Sequence, residues 1–433
     1  MSERKVSRTT PFFSIVMPTR NRAHLLRYSL QTALEQTFDD YEIVVSDNDS
    51  SDSTAQVAHE LADGHVRYVR TGKALSHPDS LEFAADQAEG EYTVFLFDDD
   101  ALCPEALESV ARVVDPLHTP IVSWDRGFYH HPSWDEAERV NTLELSPFNQ
   151  QAVRLNSQLV LKGMYAFRGQ EMHGFPFLID AAFHKDIIKT VKEVNSRLFL
   201  EFLPEDLSFG ITVLTRIDNF LHLDDVLSLF GKHNNSTTFA LTGENREQKL
   251  TADYEKSDFQ HVPFKSVTLM NLMGETLLKM KEQFPEKLQD CMFDWRIYFT
   301  GCYDSLMALQ RRGIDVSAEL AEFSSVLGRQ PLERQAWVRQ AIAYLASPRD
   351  SHWRKAIQRS PLLGQLELIL RPGIRSNKNL VIRGKEAGFS NILECARFFN
   401  HSQRVQLARF WRGQRLSLPV KAEMLFENPE RIT

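Results

Sequence analysis

The 433-residue sequence lacks any run near the roughly 18 uninterrupted apolar residues that a membrane-spanning helix needs. Its opening, MSERKVSRTTPFFSIVMP, has basic residues but no apolar stretch ahead of the first strand pattern, so no secretory leader is expected. Cysteine is sparse. Cys103, Cys291, Cys302 and Cys395 form neither a CxxC pair nor a zinc spacing. Scattered thiols of this kind read as small buried apolar residues in a reducing cytoplasm. Positive charge is short as well: a net charge of −8 argues against a nucleic-acid partner. No internal repeat or low-complexity tract is present.

What the sequence does contain is enough apolar material for a real core: 42% of residues are hydrophobic, and 29 of them are Phe. The first hundred residues alternate two periods. Phe13 to Met17 is a short apolar run ended by Pro18, the signature of a buried strand. Leu26, Leu30, Ala33 and Leu34 then form one stripe of a helix over Ala23 to Gln36. Glu42 to Val45 is a second strand, and Asp52 is placed to cap a helix reaching Leu61. Val66 to Val69, a helix over Ser80 to Ala88, and a strand over Tyr92 to Phe97 complete the series. Strands separated by helices predict an α/β fold, a mostly parallel sheet with helices on its faces. Such sheets bind ligands beyond the carboxyl ends of their strands, so the polar clusters after the first, second and fourth strands belong on one rim.

Residues 101–239 are mixed in pattern. After about residue 244 the spacing turns helical, over Phe264 to Phe284, Cys291 to Arg312, Val316 to Leu327 and Pro331 to Ala346. The expected organisation is therefore residues 1–244 as an α/β domain and 245–433 as a helical accessory domain, which could also support a homo-oligomer. Charge divides unevenly between them. Trp353 to Lys421 holds 14 Lys plus Arg against 3 Asp plus Glu, a net +11, which leaves −19 on the remainder. This stretch is a candidate contact for an anionic membrane surface, or for the acidic half of the same or a neighbouring chain.

The strongest chemical signal is Asp98-Asp99-Asp100 at the end of an apolar strand. Three adjacent carboxylates repel one another, and a divalent cation among them relieves that cost. Hard oxygen ligands suit Mn²⁺ or Mg²⁺ carrying a substrate diphosphate; the competing reading is an acidic surface turn. Asp47-Asn48-Asp49-Ser50 also follows a strand directly, and reads either as polar contacts to a base or ribose or as a capped turn.

Taken in order, Ser14 to Arg22, Glu42 to Asp52, and Glu89-Gly90-Glu91-Tyr92 leading into Asp98-Asp99-Asp100 resemble the opening of the family-two glycosyltransferases of the GT-A fold, over about the first 110 residues. The family pattern is a strand followed by Pro, Thr or Tyr, Asn and Arg, then Asp-Asp-Gly-Ser, then an Asp-x-Asp motif. Two departures stand out. Asn48 occupies a frequent Asp position, which makes Asp47 the firmer nucleoside contact. Phe97 falls where many members have the first Asp, so the metal motif has two registers: Asp98 with Asp100, or Asp99 as the main ligand.

The resemblance implies a metal-assisted, inverting transfer from a nucleotide-sugar, with a UDP-sugar favoured, to a hydroxyl of a saccharide or lipid-linked acceptor. It divides the catalytic domain into a donor half, residues 1–110, and an acceptor half, residues 111–244. It implies donor contacts from Pro18, Thr19, Asn21, Arg22, Asp47, Asn48 and Asp98, and metal ligands among Asp98, Asp99, Asp100 and His233. In Pro204-Glu205-Asp206-Leu207 it points to Asp206 as general base and Glu205 as the alternative; acidic residues in a first helical turn are also simply favoured by the helix dipole. His173, Asp180 and His184 are acceptor-side candidates. Such an enzyme would work in the cytoplasm, at the inner face of the cell membrane if its acceptor is lipid-linked. Two other classes compete: a sugar nucleotidyltransferase, and an inactive scaffold. Pro18-Thr19-Arg20-Asn21-Arg22-Ala23 lacks the glycines expected of the first, and the intact acidic motifs argue against the second.

Overall fold

The computed structural model describes residues 10–114, 119–134, 137–168, 173–200, 204–233, 259–346, 380–412 and 425–426. The expected boundary near residue 245, and residues 353–379 and 413–421 of the basic stretch, lie outside the described residues.

The N-terminal part alternates β1 (Phe13–Thr19), α1 (Ala23–Leu34), β2 (Tyr41–Asp47), α2 (Thr54–Glu60), β3 (Val66–Arg70), α3 (His77–Ala85) and β4 (Tyr92–Phe95). These four strands are parallel in the order β4-β1-β2-β3. Alternation along β1 explains the two layers. Ile15 and Met17 join Leu26 and Leu30 of α1 in one core, while Val16 joins Leu81 and Ala84 of α3 in another. Pro18 does not end the strand, which runs on to Thr19. Its missing N–H is tolerated because β4 pairs with β1 only as far as Val16 and has turned away by Pro18. That departure of β4 opens the rim where Asp98 emerges.

Two helix starts differ from the sequence expectation. α3 begins three residues before Ser80, because the Ser76 hydroxyl caps Asp79 N–H and a proline occupies the first turn. Ser53, not Asp52, occupies the N-cap position of α2, but its side chain makes no capping bond. Asp52 supplies the side-chain bond, receiving Thr54 N–H on one oxygen and Ala23 N–H on the other, both at 3.0 Å, which ties the starts of α1 and α2 together.

Beyond β4 the sheet becomes mixed. After β5 (Ala101–Leu102) and α4 (Ala106–Val114) come β6 (Ile121–His130), β7 (Thr142–Leu145), β8 (Gln151–Asn156), α5 (Ser157–Tyr165), a short 3₁₀ turn (Leu178–Asp180), β9 (Ala181–His184), α6 (Lys185–Asn195), α7 (Glu205–Leu214) and β10 (Asn219–Lys232). β9 runs antiparallel between β4 and β6, and the long β10 pairs with β5, β6 and β8.

Four longer helices follow, Leu269–Gln283, Trp295–Arg311, Ser317–Gly328 and Leu332–Ala346. Their apolar faces share one core with α3, α5 and α7. The last region is not wholly helical. β11 (Leu380–Arg383) adds to the sheet beside β7, β12 (Leu425–Phe426) pairs with β11, and the helices Ile392–Phe398 and His401–Trp411 pack beneath. Part of its positive charge is spent internally: Arg397 pairs with Glu35, and the fully buried Arg404 reaches Glu105 at 3.2 Å and Asp225 at 3.3 Å. Of the two readings of this basic stretch, those residues follow the contact with the acidic half of the same chain. No helix among the described residues is long and apolar enough to cross a membrane.

Candidate active site

The rim beyond β1, β2 and β4 gathers the predicted residues. Thr19 Oγ donates to Asp98 Oδ2 at 2.7 Å, and Arg22 Nη1 donates to Asp98 Oδ1 at 3.0 Å and lies 3.5 Å from Asp99 Oδ2. Asp98 is thus held from both sides. Burial raises its carboxyl in spite of the Arg22 charge. Asp99 Oδ2 stands 3.0 Å from His233 Nε2, at the end of β10. Burial alone would raise the Asp99 carboxyl, but His233 and Arg22 outweigh it and hold it below its ordinary value. His131 Nε2 donates to the Asp99 carbonyl at 3.0 Å, and burial pushes that imidazole down to about 4, so it stays neutral.

Asp100 differs. Its Oδ1 accepts Gly231 N–H at 2.8 Å, while among the described residues its buried Oδ2 has no hydrogen-bond partner. Burial, and then the Asp99 charge, raise its carboxyl well above the usual range. Gly231 is needed for this approach, since a Cβ there would stand 1.7 Å from the Asp99 carbonyl oxygen. A carboxylate oxygen beside an imidazole nitrogen, with a second buried carboxylate oxygen left unbonded, fits a divalent cation. Of the two registers, Asp99 and His233 form the closer pair of candidate ligands, with Asp98 committed to Thr19 and Arg22.

The β2 cluster is built inward. Asp47 is fully buried; its Oδ1 accepts Ser50 N–H at 2.8 Å and its Oδ2 the Tyr68 hydroxyl at 2.6 Å. Asn48 pairs with the backbone of Leu75 through both amide atoms. Either residue would have to exchange an internal partner to meet a nucleoside. Asn21 adopts the left-handed conformation (φ 54°) and accepts Ser51 N–H at 2.7 Å, pinning the loop after β1 to the loop after β2.

At the start of α7, Glu205 is buried against His77 at 3.2 Å, whereas Asp206 is half-buried. Burial raises the Asp206 carboxyl to about 6 against the pull of Arg126. Arg126 is the residue that sequence reasoning missed. Its guanidinium pairs with Asp180, lies 4.8 Å from the Phe177 ring and 5.5 Å from Phe230, and its charge also lowers Asp100 and Asp206. The signal was a charged pair, Asp125-Arg126, in the middle of the strand Ile121–His130. Asp180 belongs to this cluster, with Ser228 Oγ donating to it at 3.0 Å. His184 does not belong; it caps α6. His173 turns instead to Asp125.

The family model "Glycosyl transferase family 2" matches residues 14–171. GalNAc(5)-diNAcBac-PP-undecaprenol beta-1,3-glucosyltransferase of Campylobacter jejuni is 37% identical over 105 residues, 24% of this chain and 34% of that protein. UDP-Glc:alpha-D-GlcNAc-diphosphoundecaprenol beta-1,3-glucosyltransferase WfgD of Escherichia coli is 32% identical over 95 residues, 22% of this chain and 38% of that one. The chain therefore spans only about a third of the length of these curated relatives. Among solved structures, S. aureus TarS 1-349 in complex with UDP-GlcNAc aligns over 96% of this chain and 97% of that one, at 14% identity and a TM-score of 0.45. Residues 14–171, a little over a third of the chain, are thus similar to the family-two glycosyltransferases.

Proposed function

We propose that the chain transfers a sugar from a nucleoside diphosphate donor, with a UDP-sugar favoured, to a hydroxyl of a saccharide acceptor. The observation that carries this reading is the convergence of Asp98, Asp99, Asp100, Arg22 and His233 at one rim, with Asp206 linked to Asp100 through the charge of Arg126. A lipid-linked acceptor is supported by the two curated relatives, whose names describe undecaprenyl diphosphate saccharides. Such an acceptor would bring the protein to a membrane surface without a spanning helix.

Asp99, Asp100 and His233 would hold Mn²⁺ or Mg²⁺, which when bound supplies positive charge opposite the departing diphosphate. Arg22 holds Asp98, and with Thr19 keeps that carboxylate oriented. Asn21 fixes the loop that carries Arg22, just past Pro18 and Thr19 at the end of β1. Donor contact by Asp47 proceeds by exchange of the Tyr68 hydroxyl for the base. At pH 7 a carboxyl at about 6 is mostly ionised, so Asp206 can take the proton of the acceptor hydroxyl as its oxygen attacks. Glu205, buried against His77, is less available for that proton. One base and one displacement give inversion at the anomeric carbon.

The test is a screen of the full chain for hydrolysis of UDP- and GDP-sugars, followed by transfer assays with Asp206→Asn. Turnover should fall by about 10²–10⁴ while donor affinity is kept. An undiminished rate in that variant removes Asp206 as base. A protein that ignores every nucleotide-sugar and nucleotide, with and without Mn²⁺, overturns the whole reading.

A further inference from the structure

Adjacent residues of a strand face opposite ways, so Asp125 points away from the Arg126 cluster. There it meets His222 of β10 and His173 of the loop leading to Phe175. His173 Nε2 lies 3.0 Å from Asp125 Oδ1, and His222 Nε2 lies 3.8 Å from Oδ2. One ligand atom from each of the three lies within 4.8 Å of the others. The two rings stand edge to face, with centroids 4.4 Å apart.

His222 is the informative member. It is fully buried, yet among the described residues its Nε2 has no hydrogen-bond partner, and 3.8 Å to Asp125 is too long for one. Its Nδ1 lies 3.0 Å from Ser123 Oγ. In the tautomer that metal binding needs, Nδ1–H donates to that hydroxyl and the Nε2 lone pair faces Asp125. An imidazole nitrogen desolvated in this way carries a cost that a metal bond would remove. The backbone presses on the ring too: a Cβ at Gly174 (φ +79°) would stand 3.2 Å from His222 Cγ.

We propose that Asp125, His173 and His222 hold a zinc-class divalent cation, separate from the carboxylates of the rim. With bonds near 2.0 Å, ligand atoms of a tetrahedral zinc site stand about 3.3 Å apart, and Asp125 Oδ2 lies 3.1 Å from His173 Nε2 and 3.8 Å from His222 Nε2, which bracket that value. Two imidazoles and a carboxylate suit zinc better than the all-oxygen ligation of Mg²⁺. The cation would clamp to β6 and β10 the loop that ends in Phe177 and Asp180, the residues around Arg126.

The experiment is titration of the chelator-stripped full chain with Co²⁺, a spectroscopic stand-in for zinc. Four-coordinate Co²⁺ with imidazole ligands absorbs strongly in the visible, and six-coordinate oxygen-ligated Co²⁺ only weakly. The expected result is a strong band that saturates at one equivalent, is displaced by Zn²⁺, and is lost in Asp125→Asn and His173→Ala but kept in Asp99→Asn. Ser123→Ala should weaken Zn²⁺ binding by about 10–100-fold. Zn²⁺ should also raise the melting temperature of the wild type and not that of His173→Gln, which guards against a variant that folds poorly. No band in the wild type, or a band that survives both ligand substitutions, overturns the proposal. Neither readout depends on sugar transfer.

Discussion

Arg126 stands among three carboxylates whose proton affinities it sets. Asp100, Asp180 and Asp206 are all raised by burial and all lowered by this one guanidinium. If Asp206 is the base, its ionised form is the active one, so the rate should rise with pH through about 6 and level off above it. Arg126→Met removes the nearby positive charge. The acid limb of kcat should then move to higher pH by about one unit or more, while Arg126→Lys should keep it near the wild-type position. A limb unmoved in Arg126→Met would show that Asp206 does not control the rate. Every acidic residue of this site was legible in the sequence, because runs such as Asp98-Asp99-Asp100 and Glu205-Asp206 sit where a strand ends or a helix begins. Arg126 was not, because its role comes from Asp180 and Asp206, each more than 50 positions away along the chain. Asp47 was legible as a rim residue, but its inward bond to Tyr68 depends on the β2–β3 pairing, which no local pattern encodes.

At the scale of elements, local signals found what local physics decides. Apolar alternation and capping located β1 to β4 and their helices to within a few residues. Where the expectation slipped, a distant or competing partner was responsible: Asp52 bonds α1 as well as α2, and β11 finds its place only through β7. The two-helix unit Ile392–Phe398 and His401–Trp411 is fastened in the same non-local way, by Arg404. This guanidinium is fully buried between Glu105, just before α4, and Asp225 of β10. Arg404→Met would leave Asp225 half-enclosed and Glu105 without that cation. Loss of one member of such a buried set costs about 3–5 kcal/mol, so the variant should unfold at markedly lower denaturant or temperature. Arg397→Ala, which removes an exposed pair with Glu35, should cost no more than about 1 kcal/mol. Equal losses in the two variants would place Arg404 with ordinary surface charges.

The whole molecule turns on whether the region after residue 245 is an accessory domain or a part of the catalytic one. A separable module would keep its own core and leave the sheet closed without it. Instead Leu380, Ile382, Phe389, Ile392 and Phe399 share a core with Ala101, Tyr129, Leu143 and Leu145, and Ala101 directly follows the Asp98–Asp100 group. Ending the chain at residue 346 would strip this cover from β7, exposing an unpaired edge together with Leu143 and Leu145. Each large apolar side chain so uncovered forfeits about 1.5–3 kcal/mol of burial. The protein truncated after residue 346 should therefore aggregate or melt well below the full chain, and should lose nucleotide binding along with its fold, since β5 and the end of β10 hold Asp100 and His233 in place. A soluble truncated protein with unaltered melting temperature and nucleotide affinity would make the C-terminal region a true accessory domain. The measurement thus decides between a sheet that the C-terminal strand completes and one that it merely adjoins.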